Sequence, residues 1–210
     1  MHLLLTDRLA CPRCGPEFGL ILLADHIEER RVLEGVLGCP NCRERYPVRG
    51  GFGDFRPPPR GELPEGGEPP TAPPPAEETM RLAALLGIAE GPGNLLLAGA
   101  PVAHALPLAR LVEEIEVVVV EPATHRAEEQ PGVSRIGVGG RLPFYSGMFR
   151  GVALEGTAIE AWLDEGIRLV ARLGRLVLLE DADEERVRRV EEGGLELLVR
   201  EGGILVAARK

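Results

Sequence analysis

The four cysteines of this chain form two pairs with the same spacing. Cys11 and Cys14 belong to the segment CPRC, and Cys39 and Cys42 belong to CPNC. Two thiolates three residues apart on such a turn can both face one cation, and two such turns supply four sulfur ligands for a tetrahedral site. Zinc suits this set because it is borderline soft and redox-inert. We therefore predict a structural zinc site at Cys11, Cys14, Cys39 and Cys42, with no open coordination position for catalysis.

Three other chemistries also use cysteines. Disulfides are rare in cytoplasmic chains, and the leucine-rich start MHLLLTDRLACP lacks the basic flank and the length of a signal peptide. A thioredoxin-like redox pair requires a single C-x-x-C in a βαβ setting. An iron site with four sulfur ligands remains an alternative to zinc. His2 and His26 are expected to be surface groups.

The residues around the cysteines divide the chain into three predicted parts. The stretch between the two pairs has the pattern of a strand, a turn and a strand, which indicates a zinc ribbon over residues 1–55. Residues 56–75 contain nine prolines, so they cannot form helix or sheet interior. We interpret them as a semi-rigid spacer, and the alternative is a docking ligand for a proline-reading domain. Residues 76–210 form the third part.

This third part alternates helix and strand patterns. The segment AEETMRLAALLGI has apolar residues at helical spacing, including Met80, and Gly87 can end the helix. Further helices are predicted at 103–112, 158–173 and 183–192, and strands at 94–99, 115–122, 133–138, 149–156, 174–181, 195–200 and 204–210. Strands that alternate with helices imply an α/β fold with a mostly parallel sheet covered on both faces. The last two strands form an antiparallel hairpin.

The charge distribution argues against tight nucleic-acid binding. The chain has a formal net charge of −9, and no segment is a basic block of the kind that neutralises phosphates. A nucleic-acid partner is therefore not indicated by charge. No apolar run approaches the roughly 20 residues needed to cross a bilayer, so we expect a cytoplasmic protein without a membrane partner.

The N-terminal part resembles a known family. LLLTDRLACPRCG and LGCPNCRERYPVRGGFGDFRP are similar to the small zinc-ribbon family of methyltransferase activator subunits, in which a Tyr-Pro-(Val/Ile) turn follows the second cysteine pair. Tyr46, Pro47 and Val48 occupy that turn here. The resemblance implies a ribbon that binds a methyltransferase and covers its apolar surface. Ribbons of this kind also occur fused in front of methyltransferases.

Residues 80–210 resemble a class I S-adenosylmethionine (SAM)-dependent methyltransferase. The resemblance lies in the order of the elements and in the segments RLPFYSGMFRGVALEG and WLDEGIRLVARLGRLVLLED. It implies a reduced Rossmann-like fold that binds SAM at the turn after its first strand, where Gly99 stands. It also implies a carboxylate for the ribose hydroxyls at the end of the second strand, where Glu121 stands.

The rest of the implied cofactor site departs from that family. The turn from Ala98 to Ala103 retains one glycine and has no acidic residue, and Val138 and Arg150 stand where acidic residues are expected. The connection from residue 122 to residue 131 is too short for a full crossover helix.

We therefore expect a methyltransferase-like protein that is degenerate in cofactor binding and acts by associating with a methyltransferase or with a second copy. The alternative is an active SAM-dependent methyltransferase acting on RNA or protein. No residue is assigned as catalytic, and His104 and His125 are expected near the crevice as surface groups.

Overall fold

The computed structural model describes residues 1–64 and 73–210. The described helices are α1 (Leu3–Thr6), α2 (Ala76–Leu86), α3 (Ala105–Leu111), α4 (Thr157–Leu169) and α5 (Glu184–Glu192). The strands are β1 (Ile21–Glu28), β2 (Arg31–Gly38), β3 (Arg45–Arg49), β4 (Phe52–Phe55), β5 (Gly93–Ala98), β6 (Ile115–Val120), β7 (Val133–Val138), β8 (Phe149–Leu154), β9 (Val170–Leu178), β10 (Leu195–Glu201) and β11 (Ile204–Arg209). Two short 3₁₀ turns cover Ala100–His104 and Pro122–Arg126.

All eleven strands of the described residues belong to one sheet. Their order is β1-β2-β3-β4-β7-β6-β5-β8-β9-β11-β10. The first four strands pair antiparallel, the run from β4 through β9 is parallel, and β11 and β10 close the sheet in antiparallel pairing. The expected α/β fold, with a mostly parallel sheet and a C-terminal antiparallel hairpin, is confirmed.

Alternate residues of the central strands face two separate apolar cores. Leu95 and Leu97 of β5 face α2 and α3, whereas Leu96 and Ala98 face the side that carries α4 and α5. Both faces of these strands are buried, which explains their continuous apolar runs, such as the valines of β6.

The N-terminal region is joined to the α/β region through β4. Phe52 to Phe55 pair in parallel with Arg135 to Val138 of β7. The strands of the ribbon therefore continue the sheet of the α/β region. The segment before the first cysteine also covers a sheet face. Leu5 and Leu9 are buried in the same core as Ile136, and the Ala10 amide donates to the Pro143 carbonyl at 2.9 Å. No crossover helix is described between β7 and β8, and this N-terminal segment covers part of that face.

Three local predictions need correction. The helix predicted at 158–173 ends at Leu169, because residues 170–173 already belong to β9. The helix predicted at 103–112 begins as a 3₁₀ turn and becomes α-helical only at Ala105, so that Pro107 falls in the first turn, where a missing amide donor costs little. Met80, interpreted as part of the apolar face of α2, is 54% exposed.

The predicted linker 56–75 falls partly outside the described residues, because residues 65–72 are not described. Its beginning lies against the ribbon, where the Arg60 guanidinium donates to the Arg45 carbonyl at 2.8 Å and lies over the Tyr46 ring. The division into parts at residues 55 and 75 stays a prediction. Among the described helices, of which the longest has 13 residues, none is long and apolar enough to cross a membrane.

Candidate functional site

The structure brings the four cysteine sulfurs into one cluster. All four Sγ atoms lie within 4.8 Å of one another, with Cys11 and Cys42 at 3.7 Å and Cys14 and Cys39 at 3.8 Å. A tetrahedral zinc ion with Zn–S bonds of about 2.3 Å separates its sulfurs by about 3.8 Å. The sulfur positions therefore fit a single tetrahedral cation.

The two turns that carry the sulfurs are held by backbone hydrogen bonds. The Gly15 amide donates to the Cys11 carbonyl at 2.9 Å, and the Arg43 amide donates to the Cys39 carbonyl at 3.0 Å. Gly15 and Arg43 both have positive φ, the conformation that reverses the chain after each pair. The two turns therefore present Cys11 with Cys14, and Cys39 with Cys42, to the same point.

Neighbouring groups can also stabilise negative charge on the sulfurs. The Asn41 side-chain amide donates to the Cys14 sulfur at 3.3 Å, and the Cys14 amide lies 3.4 Å from the Cys11 sulfur. The Tyr46 hydroxyl lies 3.5 Å from the Cys11 sulfur. Burial, followed by the contact with Cys11, raises the pKa of Tyr46, so this hydroxyl keeps its proton and can donate it. The donor set is one that can bind zinc.

A buried ion network lies where the ribbon meets the amino ends of β6 and β7. We call it the seam network, and its members are Arg31, Glu116, Glu129, Ser134 and Arg135. Arg31 contacts both oxygens of Glu116, at 2.8 and 3.0 Å, and its Nε contacts Glu129 at 2.7 Å. The Ser134 hydroxyl donates to Glu116 at 2.5 Å. Arg31 comes from the ribbon and the other members come from the α/β region, so the network joins the two.

Glu129 is the centre of this network. Its carboxylate also accepts from Arg135 at 3.0 Å and from the Met1 ammonium at 2.6 Å. Burial alone would raise the pKa of Glu129, but the Met1 ammonium, Arg31 and Arg135 together lower it below its usual value. The carboxylate is therefore charged in the folded protein and pairs with Arg31 and Arg135. Burial lowers the pKa of the Met1 amine to about 6, so this group adds a third positive charge only below that pH.

Arg135 anchors the short connection between β6 and β7, which contains no α-helix. Its guanidinium donates to the Thr124 carbonyl at 2.7 Å and to the Ala127 carbonyl, which ties the short connection 122–130 to the sheet. It also donates to the Gly50 carbonyl of the ribbon at 2.7 Å. The buried Arg135 side chain thus connects β7 both to the loop 122–130 and to the ribbon.

The predicted cofactor residues lie at the opposite ends of the strands. Gly99 follows β5 with φ of 83° and ψ of −151°, a conformation that is available almost only to glycine. A Cβ at this position would lie 2.4 Å from the Glu155 carbonyl oxygen. Gly99 is therefore required for its close packing against Glu155, and the chain after it turns at once into the 3₁₀ turn Ala100–His104.

Glu121 follows β6 and caps the next turn. Its Oε1 accepts from the Ala123 amide at 3.0 Å, and its backbone carbonyl accepts from the Thr124 hydroxyl at 2.7 Å. The carboxylate predicted to bind a ribose is therefore engaged in part by its own backbone, although it lies at the carboxyl end of β6 as a doubly wound fold requires.

The other residues considered from the sequence have structural contacts. His104 Nδ1 lies 3.0 Å from the Thr79 hydroxyl, and burial lowers its pKa. His125 Nδ1 lies 3.2 Å from the Pro122 carbonyl of its own turn. Val138 is buried at the end of β7. Arg150 lies within β8, not before it, and donates to the Glu90 and Pro92 carbonyls.

Among the cavities in the described part of the chain are five of about 220 to 720 Å³, and these five are not lined by Gly99 or Glu121. The cavity of 220 Å³ lies near the carboxyl ends of β4 and β7, between Tyr46 and Phe55 of the ribbon and the loop at Gly139 to Arg141. The cavity of 720 Å³ lies at the amino ends of the strands.

The seam network was not predicted from the sequence, although two signals of it were present. Glu116 interrupts the apolar run of β6, and Arg135 lies inside the strand pattern VSRIGV. A charged residue in a doubly buried strand needs a partner. Its partner here, Arg31, lies 85 positions away from Glu116, so no local pattern links them. His2 was also expected at the surface, but it is half-buried, its backbone amide donates to Ser134, and burial lowers its pKa.

Comparison with known proteins finds a family similar to the cysteine region. Residues 2–51 match the family described as Trm112p-like protein. This confirms the resemblance to the methyltransferase activators over the ribbon itself. No curated protein matches this chain.

Solved structures of methyltransferases are similar to this chain at low identity. A complex between the Haloferax volcanii Trm112 methyltransferase activator and the putative methyltransferase shares 15% identity over 59% of this chain and 70% of that chain, with a TM-score of 0.47. Geranyl diphosphate methyltransferase in complex with SAM shares 14% identity over 64% and 85%, with a TM-score of 0.49. The N-methyltransferase NodS from Bradyrhizobium japonicum, with S-adenosyl-L-homocysteine, shares 17% over 62% and 84%, with a TM-score of 0.45.

Proposed function

We propose that this protein is a zinc-stabilised, methyltransferase-like scaffold in which a Trm112p-like ribbon is joined permanently to its own α/β region. In this proposal the α/β region does not use SAM, and the protein acts by associating with another protein. Zinc holds the two cysteine turns at Cys11, Cys14, Cys39 and Cys42 and has no catalytic part. A four-thiolate site is typical of a reducing compartment, and we place the protein in the cytoplasm.

The contact between β4 and β7 supports the joining of the two regions. In this chain the Trm112p-like region and the methyltransferase-like α/β region share one sheet. The seam network adds buried ion pairs across the same boundary. The ribbon edge at β4 is therefore already used within the chain, so an outside partner would bind elsewhere.

The geometry at Gly99 and Glu121 is the main support for the proposal that the protein does not bind SAM. A SAM site in this fold requires an open turn after the first strand of the parallel set, whose amides can approach the ligand. Here the turn contains Pro101, which has no amide donor and is buried. The Glu121 carboxylate accepts from its own turn.

A calorimetric titration with SAM and with S-adenosyl-L-homocysteine tests this proposal. We expect no saturable heat with the zinc-loaded full chain at protein concentrations in the tens of micromolar, while an active class I methyltransferase run in parallel gives a normal isotherm. The double variant Ala98→Gly, Val102→Gly should behave like the parent. Micromolar binding that weakens in Glu121→Gln would overturn the proposal.

A second candidate function is an active SAM-dependent methyltransferase acting on RNA or protein. It is favoured by the complete strand order from β7 to β10 and by the position of Gly99 and Glu121 at the carboxyl ends of adjacent strands, where this class of fold binds its ligand. The titration decides between the two.

The form of association is tested by light scattering coupled to size exclusion. A mass that increases with concentration towards twice 22.6 kDa would identify a second copy as the partner. A constant mass of one chain would leave a different protein, such as an active methyltransferase, as the partner.

A further inference from the structure

The cavity of 720 Å³ at the amino ends of the strands is formed by both regions of the chain. His2, Leu4 and Arg30 come from the ribbon, and Leu106, Arg110 and Ile115 come from the α/β region. This volume lies within the range of about 300 to 1,000 Å³ that is typical of small-molecule sites. The cavity is separate from the crevice at Gly99 and Glu121, because it lies at the opposite end of the parallel strands.

The wall of this cavity combines apolar side chains with unpaired positive charge. Leu4 is 52% exposed although it is a large apolar residue. The half-buried Leu106 adds further apolar surface, and the buried Ile115 lies behind it in the lining. Within residues 1–64 and 73–210, Arg30 and Arg110 form neither an ion pair nor a side-chain hydrogen bond. Two free guanidiniums beside an apolar wall are suited to a ligand with an anionic group and an apolar body.

The acidic residues at the cavity do not cancel this charge. Glu116 is already neutralised by Arg31 and accepts from Ser134, which leaves Glu114 as the one exposed carboxylate among the lining residues. Burial lowers the pKa of His2, so this imidazole is neutral at physiological pH. The balance at the rim is two arginines against one glutamate.

The position of Arg30 is set by the backbone. Glu29 and Arg30 form the turn between β1 and β2 with φ of 45° and 63°, as in a tight hairpin. The Arg30 carbonyl accepts from the Leu3 amide at 2.8 Å, which fixes this turn against α1. Arg30 is therefore held at the rim by the same segment that supplies His2 and Leu4.

We infer that this cavity binds a small amphipathic organic anion, with the acid group at Arg30 and Arg110 and the apolar body against Leu4, Leu106 and Ile115. Such a ligand touches both regions at once, so its binding stabilises the seam between them. This inference does not depend on whether SAM binds, because the two sites share no residue.

Calorimetry with decanoate as the probe tests the inference on the zinc-loaded full chain. We expect saturable binding at one site per chain and an increase in the melting temperature with decanoate concentration. Decanol, which lacks the anion, should bind at least tenfold more weakly, and inorganic phosphate, which lacks the apolar body, should not bind measurably.

Variants separate this site from non-specific adsorption. Arg30→Gln combined with Arg110→Gln should weaken decanoate binding at least tenfold without changing the melting temperature of the free protein, because neither arginine has a partner to lose. Leu4→Gln should weaken it several-fold. The matched control is Arg172→Gln, an exposed arginine of β9 outside the cavity, which should bind like the parent. An absence of decanoate binding, equal binding of decanol, or equal loss in the control would overturn the inference.

Discussion

The two ends of the parallel strands differ in how their polar groups are used. At the amino ends, Arg31 of the ribbon reaches Glu116 and Glu129 and makes a buried contact between distant parts of the chain. At the carboxyl ends, Gly99 packs on Glu155 and Glu121 caps its own turn. Polar groups at the amino ends connect the ribbon to the α/β region. At the carboxyl ends, the Glu121 carboxylate instead accepts a hydrogen bond from a nearby backbone amide.

This difference shows that polar groups at the two ends of the same parallel strands serve separate purposes. Strands β5, β6, β7 and β8 pair in parallel, and their apolar side chains are buried. The ion pairs at the amino ends stabilise the joint to the ribbon independently of the crevice at Gly99 and Glu121.

The largest effect is expected from losing the metal site. Structural zinc contributes on the order of 10 kcal/mol in small zinc domains, so Cys11→Ser should release the metal and unfold the ribbon. Because β4 is a neighbour of β7, the α/β region should also melt at lower temperature. Metal analysis and circular dichroism measure both effects. Asn41→Ala, which removes only the amide donor to the Cys14 sulfur, is the control and should retain the metal.

The next largest effect is expected at the amino ends. Arg31→Ala leaves the buried carboxylate of Glu116 without its cation, which costs about 3 to 5 kcal/mol. Urea unfolding measures the loss. Arg13→Ala is the control, since Arg13 is exposed and 3.8 Å from Glu44, and it should change stability by less than about 1 kcal/mol. Equal losses of unfolding free energy in the two variants would show that the seam network does not stabilise the fold.

At the carboxyl ends, Gly99→Ala is expected to destabilise the fold. The new Cβ would meet the Glu155 carbonyl oxygen at 2.4 Å, and the positive φ adds strain, for a total of about 2 to 3 kcal/mol. Gly140→Ala is the matched control because a Cβ there meets nothing within 4 Å. Thermal unfolding compares the two. A neutral Gly99→Ala would mean that the turn is open, as a SAM site requires.

A smaller effect is expected from acidification. The folded pKa of Glu129 is below its unfolded value of about 4.5, so its charge stabilises the protein above that pH. This contribution is lost as the pH falls from about 4.5 through the lower folded pKa. Urea unfolding at a series of pH values should show a shallower acid loss in Glu129→Gln than in the parent. Parallel curves would contradict the assignment.

The smallest effect is expected at Glu121. Glu121→Ala removes the cap of the turn Pro122–Arg126 and should cost about 1 kcal/mol, whereas Glu121→Gln keeps an oxygen acceptor and should cost less than about 0.5 kcal/mol. Chemical unfolding of both variants tests this order. If Glu121→Gln proved as costly as Glu121→Ala, the charge itself would have a partner beyond the Ala123 amide.

The strands and most helices could be predicted because their signals are local. The valine run of β6 and the helical spacing of apolar residues in α2 can each be read from a short window of sequence. The cysteine cluster could be predicted for the same reason, since the ligand spacing lies within each pair. The end of α4 was missed because β9 competes for residues 170–173.

The joint between the regions could not be predicted because it depends on pairs distant in sequence. The contact of Phe52 with Arg135 and that of Arg31 with Glu116 have no short-range pattern. The proline-rich stretch suggested that the parts on either side of it are independent. However, β4, which ends just before that stretch, is itself paired with β7 of the α/β region. Whether the edge of β4 pairs with β7 depends on contacts between residues about 80 positions apart, and amino-acid composition carries no information about such contacts.

The pairing of β4 with β7 has a consequence for the order of events during synthesis. The ribbon leaves the ribosome first, and β7 follows about 80 residues later, which at 5 to 20 residues per second is roughly 4 to 16 seconds. The cysteine turns can take up metal in that interval, because both are complete by residue 42. The edge of β4 stays unpaired meanwhile, so nascent chains are most exposed to wrong strand pairing between metal uptake and the arrival of β7.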